Sequence, residues 1–93
     1  MKKDEKGTAL FHKILSETPP EIKTQVNWQY DISDVICHRL KELGMSKKEF
    51  AKKVGTSPAA VTRWIGGGHN FTLSTIAKIS AVLGVPLISV VKN

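Results

Sequence analysis

The sequence of 93 residues has a single cysteine, Cys37, and no long apolar run. One cysteine cannot close an internal disulfide, and it excludes zinc frameworks that draw two or more cysteines at short spacing. The longest apolar stretch, around residues 85–91, is far shorter than the roughly 20 residues of a membrane-spanning helix. The first residues also lack the apolar segment of a secretory signal. We therefore expect a cytoplasmic protein without metal or cofactor that does not enter a membrane.

Acidic residues are nearly missing from the second half of the chain. Residues 1–43 carry seven basic and seven acidic side chains, whereas the residues after Gly44 carry seven basic side chains and only Glu49. The formal charge of +6 therefore lies entirely in the second half. A cationic region of this kind attracts a polyanion, and the phosphate backbone of a nucleic acid is the leading candidate. The alternative is a charged surface that only keeps the protein in solution.

Catalytic patterns are missing as well. His12, His38 and His69 show no metal-ligand spacing, and the sequence has no glycine-rich phosphate loop and no nucleophile elbow. Cys37 and His38 are adjacent, and neighbouring residues of a helix do not face each other, so they do not make a thiolate and base pair. Cys37 is expected to be a buried apolar residue. We predict that the protein is not an enzyme.

The chain has the length and composition of one small domain. Its residues are 41% hydrophobic and 24% charged, which is ordinary for a globular chain. Residues 1–17 contain Leu10, Phe11, Ile14 and Leu15 at helical spacing. This segment is predicted to be either a flexible arm or a short amphipathic helix.

A helix is predicted from Thr18 onward. Thr18 fits a cap, two prolines fit the first turn, and Glu21 complements the positive end of the helix dipole. Apolar residues then recur at helical spacing up to Gly44: Ile22, Val26, Tyr30, Ile36, Leu40 and Leu43. Asp31 could cap a second helix, so the pattern leaves open whether residues 20–43 form one helix or two.

Three shorter helices follow, each with its own start and stop signals. Ser46 and Glu49 fit a capping box, Ser57-Pro58 combines a cap with a first-turn proline, and Thr72 fits a third cap. The predicted stops are Gly55, the run Gly66-Gly67-Gly68, and Gly84. The last helix, residues 73–83, carries an apolar stripe of Leu73, Ile76, Ala77, Ser80 and Leu83, with Ile79 and Val82 beside it.

Residues 87–91 are rich in β-branched side chains and are predicted to form a short strand. A lone strand leaves its backbone groups unpaired, so it needs a second copy of itself, a partner protein or the N-terminal arm. The alternative is an ordered tail without a partner.

The second and third helices form a helix-turn-helix candidate over residues 47–66. Ala51 is small where the other helix crosses, and Gly55 permits the positive φ of the turn. Val61 and Trp64 fill the wedge between the helices. We expect Trp64 to be a core residue rather than a base-stacking one.

Residues 30–84 resemble the Xre-type helix-turn-helix family of phage lambda-type repressors and Cro. The most specific stretch runs from Met45 through Ser57-Pro58-Ala59 and Thr62-Arg63-Trp64 into residues 73–79. Residues 64–72, together with Thr18-Pro19-Pro20-Glu21, are similar to the antitoxins of HigBA-type toxin–antitoxin modules. The resemblance implies an all-α, lambda repressor-like bundle of four to five helices, to which the short C-terminal strand would add.

The resemblance further implies that residues 57–65 are the recognition helix, which lies in the major groove of DNA. The base-facing residues would be Ser57, Pro58, Ala59, Thr62 and Arg63. Arg63 suits guanine, and Thr62 offers a hydroxyl and a methyl group to thymine. Pro58 and Ala59 lack donors where many family members have glutamine, which favours contact with thymine methyl groups or dependence on DNA shape.

Phosphate contacts are predicted at two helix starts. Helix N-termini and nearby cations favour anions, and the residues concerned are Ser46, Lys47, Lys48, His69, Asn70 and Thr72.

The leading hypothesis is a sequence-specific repressor of double-stranded DNA. It would bind a palindromic operator as a homodimer at the nucleoid and act as the antitoxin of a two-gene module. Residues 18–84 would be the DNA-binding domain, residues 1–17 its arm, and residues 85–93 a C-terminal strand or tail. The rival hypothesis is a protein-interaction module that binds and neutralises a toxin, with weak or secondary DNA binding.

Overall fold

A computed structural model describes residues 16–92 of the chain. Ser16 and Glu17 are helical, and the rest of the predicted N-terminal arm, residues 1–15, lies outside the described residues. The helices that follow are α1 (Pro20–Leu43), α2 (Lys47–Val54), α3 (Pro58–Ile65) and α4 (Leu73–Leu83). The predicted all-α helix-turn-helix fold is therefore confirmed.

The first of these, α1, is one continuous helix of 24 residues. Asp31 lies inside the helix, so the alternative of two helices is wrong. The N-cap residue is Pro19 rather than Thr18, and no side chain caps the helix start. Proline at the first helical position has no N–H that would need an acceptor, which lowers the need for a cap.

The starts of α2, α3 and α4 are capped as predicted. In each case the cap hydroxyl oxygen accepts a backbone N–H three residues on, and the pairs are Ser46–Glu49 at 3.1 Å, Ser57–Ala60 at 3.2 Å and Thr72–Thr75 at 3.2 Å. The capping box differs in one detail. The Glu49 carboxylate accepts from the Ser46 hydroxyl at 3.3 Å instead of reaching the Ser46 backbone N–H.

The core lies between the inner half of α1 and the three short helices. The fully buried side chains are Ile36, Phe50, Val61, Ile79 and Leu83. The predicted burial of Ala51 and Trp64 is confirmed, since they are 1% and 6% exposed. The ring of Trp64 meets the ring of Phe50 edge to face, with 6.2 Å between centroids.

The buried stripe of α4 is narrower than predicted. Ile76, Ile79 and Leu83 are buried, but Leu73 is 72% exposed and Ala77 is exposed. Leu73 is the first residue of the helix, and no other helix within residues 16–92 covers it. Cys37 is half-buried rather than buried.

The C-terminal segment, residues 87–91, is not a strand. No neighbouring backbone in residues 16–92 offers a ladder for it to join. It is linked to the domain at Leu87, whose N–H donates to Ser80 Oγ at 3.1 Å and whose side chain packs against the core. Val90 and Val91 are largely exposed, because β-branched composition alone does not supply a pairing partner.

Candidate nucleic-acid interface

The turn between α2 and α3 covers only residues 55–57. Gly55 has φ +87°, a left-handed conformation that side chains rarely adopt, and its N–H donates to Ala51 O at 2.9 Å. Thr56 N–H donates to the same carbonyl at 2.8 Å. Ser57 then caps α3 by accepting the Ala60 N–H, so both the end of α2 and the start of α3 are closed by hydrogen bonds.

The recognition-helix candidate, α3, has one buried and one open face. Ala60, Val61 and Trp64 are buried, whereas all five residues predicted to face bases are exposed. Four of these residues share one side of the helix: Pro58, Ala59, Thr62 and Arg63. At about 100° per residue, their positions fall within an arc of about 140° around the helix axis. Their role in base contact stays a prediction.

The open face of α3 offers different chemistry at each position. Thr62 Oγ1 donates to Pro58 O at 3.1 Å, so its hydroxyl hydrogen is already bonded within the helix. The Arg63 side chain makes no hydrogen bond or ion pair within residues 16–92, so its guanidinium keeps its full set of donors. Pro58 and Ala59 contribute only apolar surface.

Most predicted phosphate-binding residues are open to solvent. Ser46, Lys47 and Lys48 are exposed at the start of α2, and Asn70 and Thr72 are exposed at the start of α4. The Thr72 hydroxyl is also part of a local network, because it lies 2.9 Å from Thr75 Oγ1 and 3.1 Å from Ser74 Oγ.

His69 differs from the other predicted phosphate-binding residues. It is half-buried, and its ring meets Phe71 edge to face with 4.7 Å between centroids. Phe71 in turn lies 6.3 Å from the Trp64 ring, between centroids. The imidazole therefore extends the aromatic cluster that supports α3, which ties this part of the loop to the recognition helix.

The described cations of the second half have no ion-pair partner. Within residues 16–92 the ion pair that forms joins Arg39 Nη1 and Glu42 Oε2 at 3.8 Å, both on α1. By contrast, α2 carries four lysines and one glutamate over eight residues. The helix beside the recognition-helix candidate thus presents unneutralised positive charge, as a surface for phosphates requires.

Two contacts that hold α3 in place are missing from the sequence-based prediction. The buried Ser33 hydroxyl lies 2.6 Å from Trp64 O and 3.0 Å from Gln29 O, and its one hydrogen is shared between these acceptors. It links α1 to the last turn of α3. A single serine in a long helix carries no local signal for a contact across 31 positions.

The second missed contact joins Tyr30 and Gly67. A Cβ atom added to Gly67 would lie 2.6 Å from Tyr30 Cδ1 and closer still to Cε1, and φ at Gly67 is +83°. Only glycine fits both conditions at this position. The run of three glycines at 66–68 signals a turn, but it does not tell which of them touches another helix.

The described part of the chain has neither a cluster of metal ligands nor a membrane-spanning helix. In residues 16–92, no three His, Cys, Asp or Glu side chains gather as ligands. None of the helices in that part of the chain combines the length and the apolarity that a bilayer crossing requires.

Comparison with known proteins assigns the chain to a family. No curated protein and no solved structure matches the chain. The family model described as helix-turn-helix matches residues 38–89, more than half of the chain, and the match includes all of α2, α3 and α4. The chain therefore belongs to the helix-turn-helix family of the Xre and lambda repressor type, as a DNA-binding regulator of transcription.

Proposed function

We propose that the protein is a sequence-specific repressor that binds a palindromic operator as a homodimer. The observation that carries this proposal is the open face of α3, which lies opposite its buried face and beside the cationic α2. One helix reads only a few base pairs, and two-fold symmetry with half-sites about one turn apart is the usual remedy for such limited readout.

The residue roles proposed for this interface follow from chemistry and exposure. Ser57, Pro58, Ala59, Thr62 and Arg63 contact bases, and Ser46, Lys47, Lys48, His69, Asn70 and Thr72 contact phosphates. Residues 18–84 form the DNA-binding domain, and the protein acts at the nucleoid in the cytoplasm. Of these residues, Arg63 has the largest role in specificity because it has no competing partner in the described chain and offers a bidentate fork to guanine.

Selection from a random duplex library with the purified protein tests the proposal. The expected result is an enriched palindrome that is bound at least about a thousandfold more tightly than scrambled DNA. Arg63→Ala should then weaken binding of the selected operator by about 1–3 kcal/mol per half-site and relax one base position in each half-site. The proposal is contradicted if no sequence is enriched and the affinity for every duplex falls equally as the salt concentration rises.

A second candidate function is the binding of a protein partner, the toxin of a two-gene module. A groove of ≈ 520 Å³ favours it, and its lining includes Trp28, Phe71, Leu73, Leu87 and Ile88. Trp28 and Leu73 are 65% and 72% exposed. Exposed aromatic and aliphatic side chains around a groove are typical anchors for a partner. Asp31 also lines the groove, so a partner with basic and apolar side chains fits it best.

Trp28→Ala and the deletion of residues 87–93 separate the two functions. Under the partner hypothesis, both variants lose association with the co-expressed product of the neighbouring gene while operator affinity is unchanged. Leu43→Ala provides a control, since Leu43 is an exposed apolar residue of α1 that does not line the groove. Association that survives both groove variants would exclude this surface.

A further inference from the structure

The open face of α3 has few hydrogen-bond donors for a surface that is proposed to contact base edges. Pro58 and Ala59 are exposed and apolar, and they occupy the first turn of the helix. Thr62 follows one turn later on the same side. Its hydroxyl carries one hydrogen, and Oγ1 donates that hydrogen to Pro58 O at 3.1 Å.

The bond within the helix changes what Thr62 offers to DNA. A hydroxyl that donates to the carbonyl four positions back cannot donate to a base acceptor at the same time. The oxygen keeps acceptor lone pairs, and the γ-methyl group remains for apolar contact. Thr62 therefore adds to the apolar surface of Pro58 and Ala59 rather than to the donor set.

The side-chain donors nearby are Ser57, the N-cap residue at the start of α3, and Arg63 on the face itself. The Ser57 oxygen accepts from Ala60 N at 3.2 Å as the helix cap, and its hydroxyl hydrogen has no acceptor in residues 16–92. Arg63 lies at the other end of the face. Between them, the exposed residues Pro58, Ala59 and Thr62 present methyl and methylene groups.

We propose that α3 recognises thymine through its C5-methyl group, with Pro58, Ala59 and the Thr62 γ-methyl as the receiving surface. Among the base pairs, only those with thymine present a methyl group in the major groove, and apolar side chains contact it. Arg63 reads a guanine beside these thymines. The inference rests on the proposed function, because it specifies what the recognition helix reads.

Replacement of thymine by deoxyuridine in the selected operator tests the inference directly. This replacement removes only the methyl group and leaves the hydrogen-bonding edges of the base unchanged. Burial of one methyl group corresponds to a change of roughly fourfold in affinity. Replacement of the recognised thymine in both half-sites should therefore weaken binding by roughly 10- to 25-fold. The same replacement outside the half-sites is the control and should leave affinity unchanged.

Two substitutions of Thr62 form a matched pair. Thr62→Val keeps a methyl group and removes the hydroxyl, whereas Thr62→Ser keeps the hydroxyl and removes the methyl group. We expect Thr62→Val to retain affinity and base preference. Thr62→Ser should lose roughly fourfold per half-site, and its affinity should no longer depend on one of the thymine methyl groups. Circular dichroism and the melting temperature verify that both variants fold.

The outcomes separate this inference from the proposed function. If no duplex is enriched, sequence-specific binding fails, and the inference fails with it. If a palindrome is enriched but deoxyuridine changes nothing in its half-sites, the repressor stands and methyl recognition is wrong. Loss of affinity in Thr62→Val with full affinity in Thr62→Ser would also overturn methyl recognition, because the hydroxyl would then be the group that reads the base.

Discussion

Two regions of the molecule differ in burial and in helix capping. One is the outer part of α1, residues 20–28, and the other is the unit formed by α2, α3 and α4. Every residue of 20–28 is exposed, and no side chain caps the start of that helix. Each helix of the α2–α4 unit has a hydroxyl cap, and the unit contains eight of the eleven buried apolar residues. Short helices need such caps and a core because an isolated helix of about ten residues is marginal in water.

The two regions also differ in charge. Within α1 four acidic residues outnumber three basic ones, whereas the α2–α4 unit carries six basic residues and Glu49. Stability and DNA affinity should therefore both depend on the α2–α4 unit, and the outer part of α1 should be free for other contacts. Substitutions at matched positions in the two regions test this division.

The largest expected difference lies between Phe50→Ala and Trp28→Ala. Phe50 is fully buried, and its truncation leaves a cavity that should cost about 3–5 kcal/mol of unfolding free energy. Trp28 is 65% exposed, so its truncation should change that free energy by less than about 0.5 kcal/mol. Urea denaturation followed by circular dichroism measures both values. Equal losses would show that the outer part of α1 belongs to the same core.

A second pair concerns the junction of the two regions. Gly67→Ala combines a positive φ with overlap on the Tyr30 ring, and should destabilise the fold by about 3 kcal/mol. Gly68 has a similar φ of +71° but open space around it, so Gly68→Ala should cost only about 1 kcal/mol.

The double variant Gly67→Ala with Tyr30→Ala checks the cause. Removal of the ring relieves the overlap and leaves the backbone strain, so the double variant should be more stable than the sum of the two single losses predicts. Additive losses would mean that the ring moves aside in Gly67→Ala.

Local signals in the sequence predicted the helix-turn-helix unit well. Ser46, Ser57 and Thr72 cap the helices that they were expected to cap, because a hydroxyl and an N–H three residues apart need no information from the rest of the chain. The exposure of the α3 face follows from the same periodicity that buries Val61 and Trp64.

Contacts between residues far apart in the chain could not be predicted from the sequence. Ser33 to Trp64 and Tyr30 to Gly67 join positions more than thirty residues apart, and no short-range pattern specifies them. The prediction of a strand at residues 87–91 was wrong for a related reason. Composition indicates which residues tolerate an extended backbone, but a strand exists only where another backbone pairs with it.

A third pair compares hydroxyl groups in the two halves of α1. Ser33 is buried and bonded to Trp64 O, so Ser33→Ala leaves a buried carbonyl without its partner and should cost about 1–3 kcal/mol. Thr24 Oγ1 donates to Pro20 O at 3.0 Å, but it is exposed, and water replaces it in Thr24→Val. That change should cost less than about 0.5 kcal/mol. Thermal denaturation of the two variants at one pH distinguishes them, and similar losses would argue against a link through Ser33.

The smallest expected effect concerns salt dependence, and it tests the charge difference. Each lysine that binds a phosphate adds about 0.9 to the slope of log affinity against log salt. Lys48→Ala at the start of α2 removes one such contact in each protomer, so it should lower the slope by about 0.9 per protomer, about 1.8 for the dimer, and weaken specific and scrambled duplexes alike. Lys23→Ala, in the outer part of α1, removes the same charge from the whole protein and should leave the slope unchanged. The reason is that only a lysine in contact with the DNA backbone displaces a counterion. Equal changes of slope in both variants would mean that the net charge of the protein, rather than the position of α2, attracts the DNA.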